Sequence, residues 1–385
     1  MKILTVFGFI PITNDPNRLY RSIGRISQQF FLVMLIVPSI MAVYRSLNEK
    51  NMDLTLKAFY YLAIQFYITS SFYTSMTRTN GLRNLFRLLE DNITERSDTF
   101  SGKYYTKADR LYTIFYNAYL ILSILTLATM IIPSVISTMR YYFTYDEMAL
   151  EQWIVPFYFS IPFEMDNLWK YSLVITLSAL SISGVALGKI IIHELYYRGG
   201  FQIIACTMDL SHEISQITSI IHEDCNDKNK KLKEHFKKIL FFHQKIIEFF
   251  NLYSSMVSGV VFFEFASLYF LLGSTGFLVA QNLLGGSSDI IQFKTVLLAA
   301  FSSLMMTSKL GTEISLYLYK MSHDMYSIEW EELPLEFEKY IVIILPLLQK
   351  PLYLTGYGIL KCDWLTFSSV VKAIVSFILL LRQFV

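Results

Sequence analysis

The sequence predicts an all-α membrane protein with seven transmembrane helices. Its mean hydropathy is +0.42, and 54% of its 385 residues are hydrophobic while 17% are charged, a balance typical of polytopic helical membrane proteins. Seven apolar stretches are each long enough to cross a bilayer. They are residues 27–44, 54–75, 111–139, 171–192, 254–283, 296–317 and 365–384. This composition excludes a soluble multi-domain enzyme.

The Lys and Arg residues fall on alternate loops and so predict the orientation. Residues 1–26 and the second, fourth and sixth loops carry 23 of them, whereas the opposite side carries about six. Because cytoplasmic loops retain Lys and Arg, the amino terminus is expected in the cytoplasm and the carboxyl terminus outside. This is the reverse of G-protein-coupled receptors. The basic loops are expected to face anionic membrane lipids, not nucleic acid.

The first four helices lie within residues 27–198. The segment that follows them, residues 199–250, is polar overall but strongly periodic. Two series of mostly apolar residues recur at spacings of three and four, which predicts two amphipathic helices joined near Asn226 and Asp227. The series are Ile203, Thr207, Leu210, Ile214, Ile217 and Ile221, then Leu232, Phe236, Ile239, His243, Ile246 and Phe250. Their seams are buried either in a self-contained cytoplasmic hairpin or in a bundle that contacts other subunits.

Helices five and six occupy residues 251–325, and the last part of the chain is split. Residues 340–348 are apolar but too short to span, contain Pro346, and precede a Gly356-Tyr357-Gly358 break. We therefore expect a cytoplasmic helix within residues 326–362 that packs on the 199–250 hairpin as an anchor. The true final span follows within residues 363–385.

No residue pattern indicates an enzyme, a metal site or a cofactor. The six histidines are expected on cytoplasmic segments, and His222 with Cys225 at a solvated turn cannot complete a four-ligand zinc site. Two ionisable residues inside spans need partners, so Glu264 is expected to pair with Lys309. Lys189 is placed near a span end, where its side chain can reach the interface.

The end of the chain resembles the insect odorant receptor family. The resemblance rests on residues 326–385, in particular the acidic and aromatic residues 330–333, Gln349-Lys350-Pro351, Leu354-Thr355 and the aliphatic last helix. The sister gustatory receptors end in Thr-Tyr, five residues, and Gln-Phe. This chain has Ser376-Phe377 and Gln383-Phe384 instead, which together with the preceding context favours the odorant branch.

The resemblance implies a subunit of an odorant-gated, non-selective cation channel in the plasma membrane of olfactory sensory neurons. Such subunits form tetramers with a shared co-receptor, around a pore lined by the last helix. By this analogy Gln383 projects its amide into the pore, with Leu380 and Phe384 nearby. A gustatory channel is the closest alternative, and a metabotropic seven-helix receptor and a secondary transporter are further ones.

A volatile apolar ligand is expected in the outer half of the helix bundle, among aromatic, Met and hydroxyl side chains. Residues on helices two, three, four and six reach a comparable depth. They are Phe59, Tyr60, Ala63 and Ile64; Thr126, Met130 and Pro133; Tyr171 and Ile175; and Phe301 and Met305. Plain helix packing is the competing interpretation, and the Thr126 hydroxyl could bond its own helix backbone.

Overall fold

The computed structural model describes residues 18–50, 52–77, 102–144, 167–223, 227–280 and 287–383. Within these ranges the chain forms eight α-helices, one 3-10 turn and a two-stranded β hairpin. The helices are α1 (Arg18–Asn48), α2 (Met52–Thr77), α3 (Gly102–Thr144), α4 (Leu168–Ile221), α5 (Lys228–Ala280), α6 (Ser287–Tyr326), α7 (Leu335–Gln349) and α8 (Trp364–Gln383). The 3-10 turn is Trp330–Glu332, and the strands are β1 (Thr355–Gly356) and β2 (Leu360–Lys361).

Each of the helices α1 to α6 and α8 overlaps one of the seven predicted spans, and α4 and α5 extend well beyond theirs. Among the described residues, four segments are long and apolar enough to cross a membrane: Thr106–Pro133, Trp169–Ile221, Lys228–Ser274 and Ile291–Tyr326. We call α1 to α3, residues 168–198 of α4, 254–280 of α5, 287–317 of α6 and α8 the spanning half. Its outer helices expose large apolar side chains, such as Ile114 and Ile121 of α3, as expected of a surface in contact with lipid.

The remaining helical segments form a second region, the distal bundle: residues 199–221 of α4, 228–253 of α5, 318–326 of α6, and α7. Every member of the two predicted seams is buried there, from Ile203 to Ile221 and from Leu232 to Phe250. The ring of Phe236 stacks 5.9 Å from those of Phe337 and Tyr340 on α7. The prediction that the apolar residues before the Gly356 break form a helix that packs on the hairpin is therefore confirmed.

Helix α7 has two apolar faces, and only one of them is covered. Its buried residues are Phe337, Ile341, Ile344 and Leu348. Its opposite face leaves large side chains exposed, namely Leu335, Val342, Ile343 and Leu347. A row of this kind on a helix suits a contact with another protein surface.

The β hairpin accounts for the predicted break between α7 and α8. Thr355 pairs with Lys361 and Gly356 with Leu360, and the turn between them places Tyr357 (φ 50°) and Gly358 (φ 72°) in the left-handed region. The chain then enters α8, whose first turn is capped because the Thr366 backbone N–H donates to Asp363 Oδ1 at 2.7 Å.

Candidate functional site

A narrow cavity of about 60 Å³ lies between α3, α4 and α6. Helix α3 contributes Tyr119, Ser123, Thr126 and Met130, which share one face because their spacings are four, three and four. The rest of the lining is mainly aliphatic, with Lys189 of α4 as its charged member: Leu122, Leu127, Ala186, Lys189, Ile190 and Ala299.

Two of the predicted ligand-binding residues, Thr126 and Met130, line this cavity. The Thr126 hydroxyl donates to the Leu122 carbonyl at 2.8 Å, so the competing interpretation of that hydroxyl is correct, although the side chain still borders the cavity. Pro133, one turn further along α3, is half-buried. Next to the cavity, the Thr129 and Thr295 hydroxyls meet at 3.0 Å and join α3 to α6.

The predicted residues of α2 divide between two environments. Tyr60 and Ile64 are fully buried, and the Tyr60 ring stacks on Phe293 of α6 at 4.1 Å. Phe59 and Ala63 lie along a different and larger groove between α1, α2, α5 and α8. The two pairs therefore do not share one pocket.

The other four predicted residues also lie outside the cavity lining. Tyr171 and Ile175 are buried near the start of α4. Phe301 contacts the last helix, since its ring lies 5.4 Å from that of Phe367 on α8. Met305 is partly buried against the core. As ligand contacts, all eleven residues remain predictions.

Sequence reasoning missed the inner part of the cavity lining, above all Tyr119, Ser123, Ala186 and Lys189. A signal for α3 was present, because continuing the three-and-four spacing inward from Met130 and Thr126 reaches Ser123 and Tyr119. For α4, the signal was a Lys among apolar residues one turn from an Ala.

Lys189 is buried, with only 5% of its surface exposed, so the prediction that it reaches the interface is wrong. The physical reason is that α4 does not end near residue 192 but continues unbroken to Ile221. Its neighbour one turn on, His193, is likewise buried within the protein.

Glu264 of α5 is the centre of a buried polar cluster. One carboxylate oxygen lies 3.3 Å from His193 Nε2 and accepts a bond from the Ser303 hydroxyl, and the other accepts from Thr307 Oγ1 at 3.2 Å. The predicted partner was wrong: Lys309 is exposed, with its ammonium 5.8 Å from the Phe115 ring centroid. Ser303 and Thr307 share the α6 face that meets α5, and Lys309 is two residues beyond, on the other side.

The His193 ring connects this cluster to the cavity. Its Nδ1 lies 3.0 Å from the Lys189 carbonyl, which can only accept, so Nδ1 carries the hydrogen. Nε2 then faces the Glu264 carboxylate at 3.3 Å. The ring also stacks on Tyr119 of the cavity wall, at 4.6 Å and 8° between planes.

The Thr307 backbone carbonyl continues the polar contacts toward α8. It accepts from the Tyr196 hydroxyl at 3.2 Å and from the Cys362 thiol at 3.4 Å, and these two groups lie 3.5 Å apart. Burial raises the pKa of the Cys362 thiol to about 12, so the thiol stays protonated and can donate. Cys362 lies two residues before the start of α8.

Helix α6 contacts the start of α8 directly, through a close backbone approach and a hydrogen bond. Gly311 lies so close to the chain before α8 that a Cβ atom there would be 2.0 Å from the Cys362 carbonyl oxygen. One residue on, Thr312 Oγ1 accepts a hydrogen bond from the Trp364 backbone N–H at 2.9 Å. A displacement of α6 at this point must therefore displace the first turn of α8.

The predicted pore residues lie at the far end of α8. Leu380 is exposed in the single chain, and Gln383 is the last residue of the helix. Phe384 lies outside the described residues. Their role in a pore remains a prediction.

A profile of the 7tm odorant receptor family matches residues 51–375, which is most of the chain. The chain belongs to this family. Its fold is similar to that of the insect olfactory receptor OR5 from Machilis hrabei, with a TM-score of 0.78 and 11% identity over 100% of this chain and 98% of that one. The same receptor in complex with eugenol gives a TM-score of 0.76 and 12% identity over the same shares. A comparison with curated protein sequences finds no match.

Membership of the odorant receptor family makes this chain a membrane protein of a receptor class, and not a member of an enzyme family. The likeness in structure extends over the whole chain, so the seven-helix fold with a divided last segment is confirmed. At this level of identity the likeness concerns the fold alone.

Proposed function

We propose that this odorant receptor chain is a subunit of an odorant-gated, non-selective cation channel in the plasma membrane of olfactory sensory neurons. The observation that carries the proposal is an interior cavity joined by continuous polar and backbone contacts to the first turn of α8. Eugenol is bound to a receptor of the same fold. For this chain we infer the ligand class only: a small, largely apolar volatile molecule.

The size of the cavity suggests how a ligand changes the protein. Ligand clefts usually measure at least roughly 300 Å³, and this cavity measures about 60 Å³. A bound odorant must therefore separate α3, α4 and α6 or move their side chains, and it favours whichever arrangement is expanded. Met130 can adapt to ligand shape, and Lys189 or a hydroxyl can orient one polar group.

Transmission to the pore would follow the contacts on α6. If the ligand displaces α6, Thr307 and Gly311 move with it. Thr307 contacts Tyr196 on α4, and both Thr307 and Gly311 contact Cys362, which lies two residues before α8. In the proposed mechanism α8 lines the pore, and its apolar side chains exclude water until it moves. Leu380, Gln383 and Phe384 are the proposed pore residues.

The distal bundle would serve as the cytoplasmic anchor of a tetramer that includes a shared co-receptor. The exposed apolar face of α7, with Val342 and Ile343 at its centre, supports this assignment because it lacks a covering surface within the described part of the chain. In this division residues 27–198 bind odorant, residues 199–250 and 326–362 form the anchor, and residues 363–385 line the pore, with the amino terminus in the cytoplasm.

The decisive experiment is a panel of odorants applied to cells that express this chain with or without an insect co-receptor, while G-protein signalling is blocked. A cation current that requires both subunits and persists under the block is expected. Current abolished by the block would favour a metabotropic receptor. Current from this chain alone would contradict the requirement for a co-receptor.

Filling the cavity tests its role in ligand binding. Ala186→Phe places a large ring in the cavity wall, and we expect the odorant concentration for half-maximal current to rise about tenfold or more. The control is Ile121→Phe on the exposed face of α3, which should leave dose-response curves unchanged. Equal effects of the two variants would remove this cavity from the proposal.

The pore assignment is tested separately. Gln383→Ala should change ion permeability ratios and leave the ranking of odorants unchanged, because it lies far along α8 from the cavity. Permeability is read from reversal potentials in two cation solutions. An altered ranking with unaltered permeability would contradict the assignment.

A further inference from the structure

A second opening in the spanning half, larger than the interior cavity, is the groove between α1, α2, α5 and α8. Its volume is about 670 Å³, within the range of ordinary ligand clefts. Ile36 and Ile40 come from α1, Leu62 and Phe66 from α2, Tyr269 and Phe270 from α5, and Ile374 and Phe377 from α8. Phe66, Tyr269 and Phe377 are each more than two-fifths exposed, so the groove opens to the surroundings of the helices.

One side chain in this mainly apolar lining is a buried amide without hydrogen-bond partners. Gln65 is 1% exposed, and neither its amide oxygen nor its amide nitrogen has a hydrogen-bond partner. Of the three hydroxyls in the lining, two already donate to their own helices, Thr69 to the Gln65 carbonyl and Ser274 to the Leu271 carbonyl, and the third belongs to the half-exposed Tyr269. A buried amide without partners is unfavourable, and a ligand that both donates and accepts would relieve it.

The depth of the groove limits what can meet this amide. Ile36, Gln65, Tyr269 and Ile374 lie at the midpoints of the spans predicted from sequence, and therefore near the middle of a hydrocarbon layer roughly 30 Å thick. Phospholipid headgroups lie at the surface of that layer, roughly 15 Å away, and cannot reach Gln65. A small uncharged molecule dissolved in the hydrocarbon can bring a single polar group to this depth.

We propose that this groove is a second ligand site, which takes an uncharged aliphatic or terpenoid alcohol from the bilayer and hydrogen-bonds its hydroxyl to Gln65. The hydroxyl matches the amide because it donates to the carbonyl oxygen and accepts from the amino group. The occupant contacts Ile374 and Phe377, so it bears directly on α8. An effect of this contact on current rests on the proposed function, whereas binding itself does not.

The test uses the purified full-length chain in lipid nanodiscs and a pair of photoreactive probes. One is decanol with a diazirine in its chain, and the other is decane with the same diazirine. Crosslinking followed by peptide mass spectrometry should place the alcohol on peptides that contain Gln65 and Phe377. An excess of 1-decanol should prevent this labelling, and an excess of decane should not.

Matched variants assign the labelling to the amide. Gln65→Leu keeps the side-chain size and removes the unpartnered polar atoms, and it should lower labelling by the alcohol about fivefold to tenfold while labelling by decane stays unchanged. Gln202→Leu, at another buried amide whose nitrogen is unpartnered but which lies outside the groove, should change neither. Gly273→Leu should exclude both probes. A Cβ at this position would lie 3.7 Å from Phe377, and the rest of the leucine side chain would fill the groove.

Equal labelling by alcohol and hydrocarbon in the parent chain and in Gln65→Leu would overturn the proposal and leave the groove as an ordinary lipid-facing surface. Crosslinks between the Phe270 or Phe377 peptides of two copies, without probe uptake, would assign the groove to a neighbouring subunit and overturn it as well. No current is measured here, so a failure of the channel proposal cannot be mistaken for a failure of this one.

Discussion

The distal bundle and the spanning half share the helices α4, α5 and α6, yet the apolar side chains of the two regions are arranged differently. In the distal bundle most apolar residues of α4 and α5 face inward, and charged pairs such as Lys238 and Glu213 lie on the other side of these helices. In the spanning half, Ile114 and Ile121 of α3 are exposed although they are as apolar as the core. In apolar surroundings such as lipid, exposing an apolar side chain costs little free energy, so these side chains can face outward.

This difference implies different sources of stability. Burial from water stabilises the distal bundle, so its large apolar residues should dominate. In the spanning half, packing apolar side chains together stabilises the fold little, because the surrounding lipid is equally apolar. The buried polar cluster around Glu264 instead joins α4, α5 and α6 by specific hydrogen bonds.

The largest effect should come from the distal bundle. Phe236→Ala removes a fully buried ring that stacks on Phe337 and Tyr340, and we expect a loss of about 3 to 5 kcal/mol. Phe241→Ala on the same helix, where the ring is exposed, should cost below about 1 kcal/mol. Thermal unfolding in detergent measures both. Equal losses would break the comparison by showing that burial does not set stability in this region.

A smaller loss is expected from the polar cluster of the spanning half. Glu264→Leu leaves the Ser303 and Thr307 hydroxyls without their acceptor and removes the polar partner of His193 Nε2, at a cost of about 2 to 3 kcal/mol. Glu264→Gln retains an acceptor and should lose less. The same unfolding assay ranks the variants. A Leu variant as stable as the parent chain would show that helix packing alone holds this half together.

The smallest effect belongs to the surface of the distal bundle. Lys238 Nζ lies 2.8 Å from both Glu213 carboxylate oxygens, but the lysine is 62% exposed. Lys238→Ala should therefore cost about 0.2 to 1 kcal/mol, and less as salt is added. A loss as large as that of Phe236→Ala, or one insensitive to salt, would require a structural role for this pair and would weaken the contrast between buried and exposed positions.

The same difference explains what could be predicted from sequence. In the distal bundle charges separate the apolar residues, so spacing alone identified the buried faces from Ile203 to Phe250. In the spans both faces are apolar, and of eleven predicted ligand contacts only Thr126 and Met130 line the cavity. That Glu264 needs a partner was predictable. That the partner is His193 depends on how three helices are rotated, which one sequence does not reveal.

Helix α4 runs without interruption for 54 residues, about 80 Å, and carries both the cavity residue Lys189 and, about 50 Å further along, Ile221 in the distal bundle. The distal part of α4 is densely packed, whereas Ala186 to Ile190, further toward the start of the helix, border the cavity, so a tilt of α4 about its distal part would move the cavity wall. Tilting by a small angle would then leave the packing of the distal bundle intact, while the displacement of the helix grows with distance from that bundle. If the distal bundle joins the subunits as proposed, the same region would also be the point about which each subunit moves when it binds odorant.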